Sequence, residues 1–163
     1  MNNLITLIIS IISIILSYLL GNFQAEKKYK KNIKLKSYKN FYVPYIKALY
    51  RNFIWEYSAH QHTSSVMLFY LDLITENLHH LDTKTLKLYP IYYKSVLDML
   101  EYFDENPIYS NAPTEYNKIF NSITFSILEA GIQLSNKLSL PPLAKPLLDI
   151  FSAKNTSKKS ILK

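Results

Sequence analysis

Cysteine is absent from this chain of 163 residues, and glycine occurs only at Gly21 and Gly131. Without cysteine there is no disulfide framework and no lipoprotein-type anchor. Two glycines exclude a glycine-rich phosphate loop and a turn-rich β protein. Arginine occurs once, as Arg51, so the positive charge is almost entirely lysine. The length leaves room for one ordinary domain.

Charge is also missing from a whole segment. Residues 1–25 carry none; residues 26–51 carry nine basic residues and Glu26, a net +8. Residues 52–153 are net −5 and residues 154–163 net +4, which together make the overall +7. The body of the protein is therefore mildly acidic, and its basicity sits in two short segments. Abundant Lys, Ile, Asn and Tyr match A/T-rich codons, which says something about the coding genome and nothing about the fold.

What fills the uncharged segment is an apolar run from Leu4 to Leu20, broken only by Thr6, Ser10, Ser13, Ser17 and Tyr18. Extended to Phe23 it is about 20 residues, or ~30 Å of helix, the thickness of a bilayer's hydrocarbon core. A cleaved signal peptide would want a positive n-region and a small-residue cleavage motif. Residues 1–3 are Met-Asn-Asn, and Ala25 is the sole alanine near the end of the run. The expectation is a retained single-pass transmembrane anchor over 1–24. The lysines that follow it place the N-terminus outside and the remainder in the cytoplasm.

Ser10, Ser13, Ser17 and Gly21 recur every three or four residues and share one helix face. Small residues in that pattern let helices approach closely in lipid, so this face is the expected route to a homo-oligomer. The basic juxtamembrane helix, 25–43, carries Lys27, Lys28, Lys30, Lys31, Lys34 and Lys36 interleaved with Tyr and Ile. Those lysines are expected to contact anionic lipid headgroups, at about 1 kcal/mol each near an acidic membrane. Lysines among aromatics can also bind phosphates and stack on bases. A single Arg and the absence of a base-reading motif argue against nucleic acid as a partner.

Residues 44–153 read as an all-α domain resembling a four-helix bundle. Tyr38, Tyr42, Tyr45, Leu49 and Phe53 hold helical spacing, with Pro44 as a kink or a new start and a fade near His60. Thr63 or Ser64 caps a second helix with Met67, Tyr70, Leu71, Ile74, Leu78 and Leu81 on its apolar face. Asp82 and Thr83 supply a turn and an N-cap. A third stripe comprises Leu86, Leu88, Ile91, Val96, Leu97, Leu100 and Phe103, with Pro90 expected to kink or restart it. Residues 107–113 read as a loop. Tyr116, Ile119, Phe120, Ile123, Ile127, Ala130, Leu134 and Leu138 follow the helical period until Pro141-Pro142. Leu143 to Phe151 is expected to pack across the bundle, and 154–163 to be a disordered basic tail.

Chemistry is hard to find. His60, His62, His79 and His80 form two pairs too far apart along one helix to share a metal, and no Glu-x-x-His pair occurs. No nucleophile-base arrangement is present, so neither an enzyme nor a cofactor is expected. Tyr89, Tyr92 and Tyr93 cluster around Pro90 and form a candidate patch for a protein partner, since Tyr is enriched in interfaces.

The order is thus an uncharged N-terminus, one apolar span, a Lys-rich helix running into Tyr-Lys-Asn-Phe-Tyr-Val-Pro-Tyr-Ile (Tyr38 to Ile46), and a small helical body. This layout resembles small membrane-anchored prophage proteins of low-GC Gram-positive bacteria, some of them superinfection-exclusion proteins. The resemblance implies a host-membrane location and a partner at its inner face, either a phage DNA-entry component or a host membrane protein. Two other readings fit the same layout: a membrane-tethered scaffold or accessory subunit, and a small membrane-active toxin.

Overall fold

The structure, a computed structural model, describes the backbone of residues 2–52 and 58–160, and side chains from Ser13 to Ala153 except those of Ile14 and residues 53–57. Among the described residues it is all-α, with no strand. The chain divides into two units, Met1–Lys36 and Ser37–Lys163.

The first unit is one helix, α1, which spans Asn2–Ser37 and ends at the boundary between the units. The anchor and the juxtamembrane segment expected over 1–24 and 25–43 are therefore continuous in backbone up to that point. Among the described residues no helix is long and apolar enough to cross a membrane. Most of the apolar run falls outside that description, because the side chains of residues 1–12 and 14 are not described. The described ones that follow, Ile15, Leu16, Leu19, Leu20 and Phe23, are each more than half exposed.

The second unit begins at Ser37. Its first element is a π-helical turn, Tyr38–Tyr42, followed by α2, Val43–Arg51, with Pro44 in the first turn. Proline lacks the N–H for an i→i−4 bond and its ring crowds the carbonyl four residues back. A wider i→i+5 turn just before it accommodates both problems without ending the helix. Tyr38, Phe41 and Tyr42 are buried, so the body starts earlier than the boundary expected at residue 44.

After α2 comes a short 3₁₀ turn, Ala59–Gln61, closed by a reciprocal Ser58–Gln61 capping box. Helix α3 runs Ser64–Thr75 with Thr63 as its N-cap residue, and ends before the stripe expected through Leu81. The chain there turns through a 3₁₀ segment, Leu78–His80. Asp82 caps α4, Thr83–Phe103, accepting from the Thr85 backbone N–H at 2.8 Å. Pro90 neither breaks nor restarts α4; it sits exposed on the helix surface. Part of the loop expected at 107–113 is a 3₁₀ turn, Pro107–Tyr109. Helix α5, Ala112–Leu138, starts with Pro113 in its first turn and ends on Ser139 in the left-handed region (φ 57°). Helix α6 runs Lys145–Ser160, into the segment expected to be disordered. No glycine or proline follows Pro146 to stop it.

The second unit thus has five α-helices among the described residues, α2 to α6, where four were expected. Its centre is aromatic. Tyr45, Tyr70, Tyr92, Tyr116, Phe41 and Phe120 are fully buried, each removing roughly 2–3 kcal/mol worth of apolar surface from water.

The α4 face that packs inward corrects the expected stripe. Thr85, Tyr92, Ser95, Val96 and Met99 are buried, whereas Leu86, Ile91, Leu97 and Phe103 are exposed. Thr85 and Ser95 hold core positions because their hydroxyls find partners: Thr85 with Ser126 of α5 at 2.9 Å, Ser95 with the Tyr92 carbonyl at 2.7 Å. Gly131 of α5 is needed for close approach, since a Cβ there would lie 3.3 Å from the Tyr42 ring.

Candidate binding surface

The residues singled out in the sequence distribute as follows. Lys27, Lys28, Lys30, Lys31, Lys34 and Lys36 are all exposed along α1. Lys30 pairs with Glu26 at 2.5 Å, which lowers the Glu26 carboxyl, and Lys27 lies 4.5 Å over the Phe23 ring. Such exposed pairs are screened by solvent and leave the lysine stripe available to an anionic surface. Ser13, Ser17 and Gly21 are exposed, and the side chain of Ser10 lies outside the described residues.

The tyrosine patch is not a patch. Tyr92 points into the core with no exposure, while Tyr93 is 43% exposed. Tyr89 packs 6.2 Å from the Tyr93 ring and shares a 2.8 Å hydrogen bond with Thr75 of α3. Consecutive residues lie about 100° apart on a helix, so Tyr92 and Tyr93 cannot both face one partner.

The histidines separate in the same way. His79 and His80 lie side by side, ring centroids 3.9 Å apart, with Ser37 Oγ 3.1 Å from His80 Nδ1. His62 is buried among Tyr70, Tyr116 and Phe120 and meets the Phe120 ring edge-to-face at 5.1 Å. Neither of its ring nitrogens has a hydrogen-bond partner. Burial, then the neighbouring His60, pushes its pKa down to about 4, so the ring is neutral at ordinary pH. Among the described residues no group of His, Asp or Glu is placed to hold a metal.

Beside His62 the hydroxyls of Tyr92 and Tyr116 are also buried, interacting weakly with each other and lacking a well-formed hydrogen bond, whereas Tyr45 shares a 2.9 Å bond with Thr124 and Tyr70 accepts from Asn52 at 3.0 Å. Burial raises all four phenols, Tyr70 to about 12 and the others further. This cluster has no open mouth among the described cavities, and none of its members is placed as a nucleophile beside a base. It reads as core.

Concave surfaces lie elsewhere: one of about 350 Å³ at the end of α4, between Tyr102, Phe103 and Glu105, and two that flank α2. A cleft of about 440 Å³ has one wall from Val43, Ile46, Lys47 and Tyr50 and the other from the Pro141 to Pro146 turn, with Leu143 45% exposed. Tyr38 pins that turn by donating its hydroxyl to the Pro141 carbonyl at 3.2 Å. On the other side of α2 a second cleft, about 420 Å³, is bounded by Lys47, Arg51 and Phe69. Lys47 lines both clefts, and among the described residues the charged groups of both linings are basic. Lys47 and Arg51 were counted in the sequence only as part of the basic zone. The signal available there was their one-turn spacing on the outer face of an otherwise buried helix.

No family model matches the chain, and neither a curated protein nor a solved structure is similar to it.

Proposed function

We propose that the protein is a membrane-anchored binding protein, of the superinfection-exclusion type, that interferes with phage DNA injection at the inner face of the host membrane. The observation that carries this reading is the helix α1: an uncharged, mostly apolar run from Leu4, continuing in one helix into six exposed lysines, with no partner helix within its own unit. Lipid is the solvent that suits a segment whose sequence is apolar around the whole helix, and the lysine stripe suits the cytoplasmic headgroup layer. The helical, bundle-like body then supplies the surface that meets a protein partner.

Expression in a phage-sensitive host tests it. Adsorption should be unchanged while intracellular phage DNA falls, and both α1 and the body should be required. If phage DNA appears inside at the usual rate, the reading fails. The clefts of the body also favour a second reading, a membrane-tethered scaffold with no phage role. It predicts membrane fractionation without any effect on plaque formation.

A further inference from the structure

The body carries two exposed apolar surfaces of opposite charge. The first is the α2 cleft walled by Tyr50 and Leu143, with Lys47 in its lining and Arg51, one turn further along α2, in the lining of the neighbouring cleft. The second is the tip formed by the end of α4 and the 3₁₀ turn after it. There Tyr102 and Phe103 are 40% and 41% exposed, and Ile108, at 84%, is the most exposed large apolar side chain among the described residues. Residues 99–117 contain four acids, Glu101, Asp104, Glu105 and Glu115, and no lysine or arginine.

An exposed apolar patch rimmed by charge marks a contact surface, and a protruding aliphatic side chain suits a concave, apolar-walled cleft. The two surfaces complement each other in sign, an acidic tip against a basic cleft, and Ile108 projects from the tip beside a recess of about 350 Å³ lined by Tyr102, Phe103 and Glu105. We propose that the body self-associates head to tail, the acidic tip of one copy seating in the α2 cleft of a second copy. Because the two surfaces differ, the contact is heterologous and each bound copy still offers one free surface, so association continues or closes as a ring. This inference rests on the second unit alone and holds whether or not the protein blocks phage DNA entry. It also differs from association through the small-residue face of α1.

The test uses the full chain in detergent micelles, with protein mass followed by light scattering over a concentration series at low and high salt. Wild type should grow in mass with concentration, and less so at high salt. Lys47→Glu with Arg51→Glu, and separately Asp104→Lys with Glu105→Lys, should each raise the concentration needed for association by at least about tenfold. All four positions are exposed, so circular dichroism should be unchanged. Ile108→Ser should weaken association without reversing any charge. An equimolar mixture of the two double variants should associate again, since each then meets a surface of opposite sign. A wild type that stays monomeric overturns the proposal. So does association indifferent to both charge reversals, the result expected of α1-driven contact, or a mixture that fails to recover.

Discussion

Lowering the pH should destabilise the body through His62. The native state holds this imidazole neutral, with its pKa at about 4 against an ordinary value near 6.5. Between those two values the unfolded chain binds a proton that the folded chain refuses, so stability falls as pH drops from 6.5 and the loss is complete by about pH 4. At ~1.4 kcal/mol per pH decade the full gap is worth about 3 kcal/mol; residual exposure of the ring edge brings it to about 2–3. Against a typical domain stability of about 5–15 kcal/mol, that is enough to shift an unfolding midpoint plainly. Guanidinium unfolding of the full chain in detergent, followed by circular dichroism at pH 7, 6, 5 and 4.5, measures it. His62→Phe supplies the control. The Phe ring suits a site walled by Tyr70, Tyr116 and Phe120, and it removes two buried nitrogens that have no partner. The variant should be at least as stable as wild type at pH 7, and its stability should fall less between pH 6.5 and 4.5. Equal pH slopes for the two proteins would refute the reasoning, as would an NMR titration of the His62 ring with a midpoint near 6.5.

Other substitutions separate well-bonded from weakly bonded core groups. Tyr45→Phe strands the Thr124 hydroxyl and should cost about 1–2 kcal/mol, whereas Tyr92→Phe and Tyr116→Phe remove hydroxyls whose one contact is a weak one with each other and should cost clearly less in the same unfolding assay. Gly131→Val places side-chain carbons against the buried Tyr42 ring, whose hydroxyl is held by the His80 carbonyl, and should cost about 1–3 kcal/mol. Asp82→Ala removes the cap of α4 and should cost about 1 kcal/mol, with faster amide exchange in the first turn of that helix.

The parts of this fold that were legible in the sequence are those set by local chemistry. The cap at Asp82-Thr83 and the Tyr116 to Leu138 stripe appear where the pattern places them, because caps and a regular 3.6-residue period depend on near neighbours. The α4 face was not legible. Its expected stripe followed Leu and Ile, yet the buried face uses Thr85 and Ser95. Those two residues become core-compatible only through the Ser126 hydroxyl and the Tyr92 carbonyl, and hydropathy carries no information about such bonds. The tyrosine patch failed for a related reason: three aromatics close in sequence were counted together, although helix geometry turns Tyr92 away from Tyr93. The α2 cleft could not be seen at all, since one wall comes from residues 43–50 and the other from 141–146.

The buried phenols have a consequence at the alkaline end. Of the fourteen tyrosines in the chain, Tyr42 and Tyr70 ionise only near pH 12, and Tyr45, Tyr92 and Tyr116 resist ionisation further, all chiefly because they are removed from water. Unfolded tyrosine ionises near pH 10, so above that pH the unfolded chain releases protons that the native core retains. In an alkaline titration the ultraviolet absorbance of these core tyrosinates should therefore appear abruptly and together. That step reports the moment the helices separate, which gives the protein an internal optical gauge of its own integrity without a label.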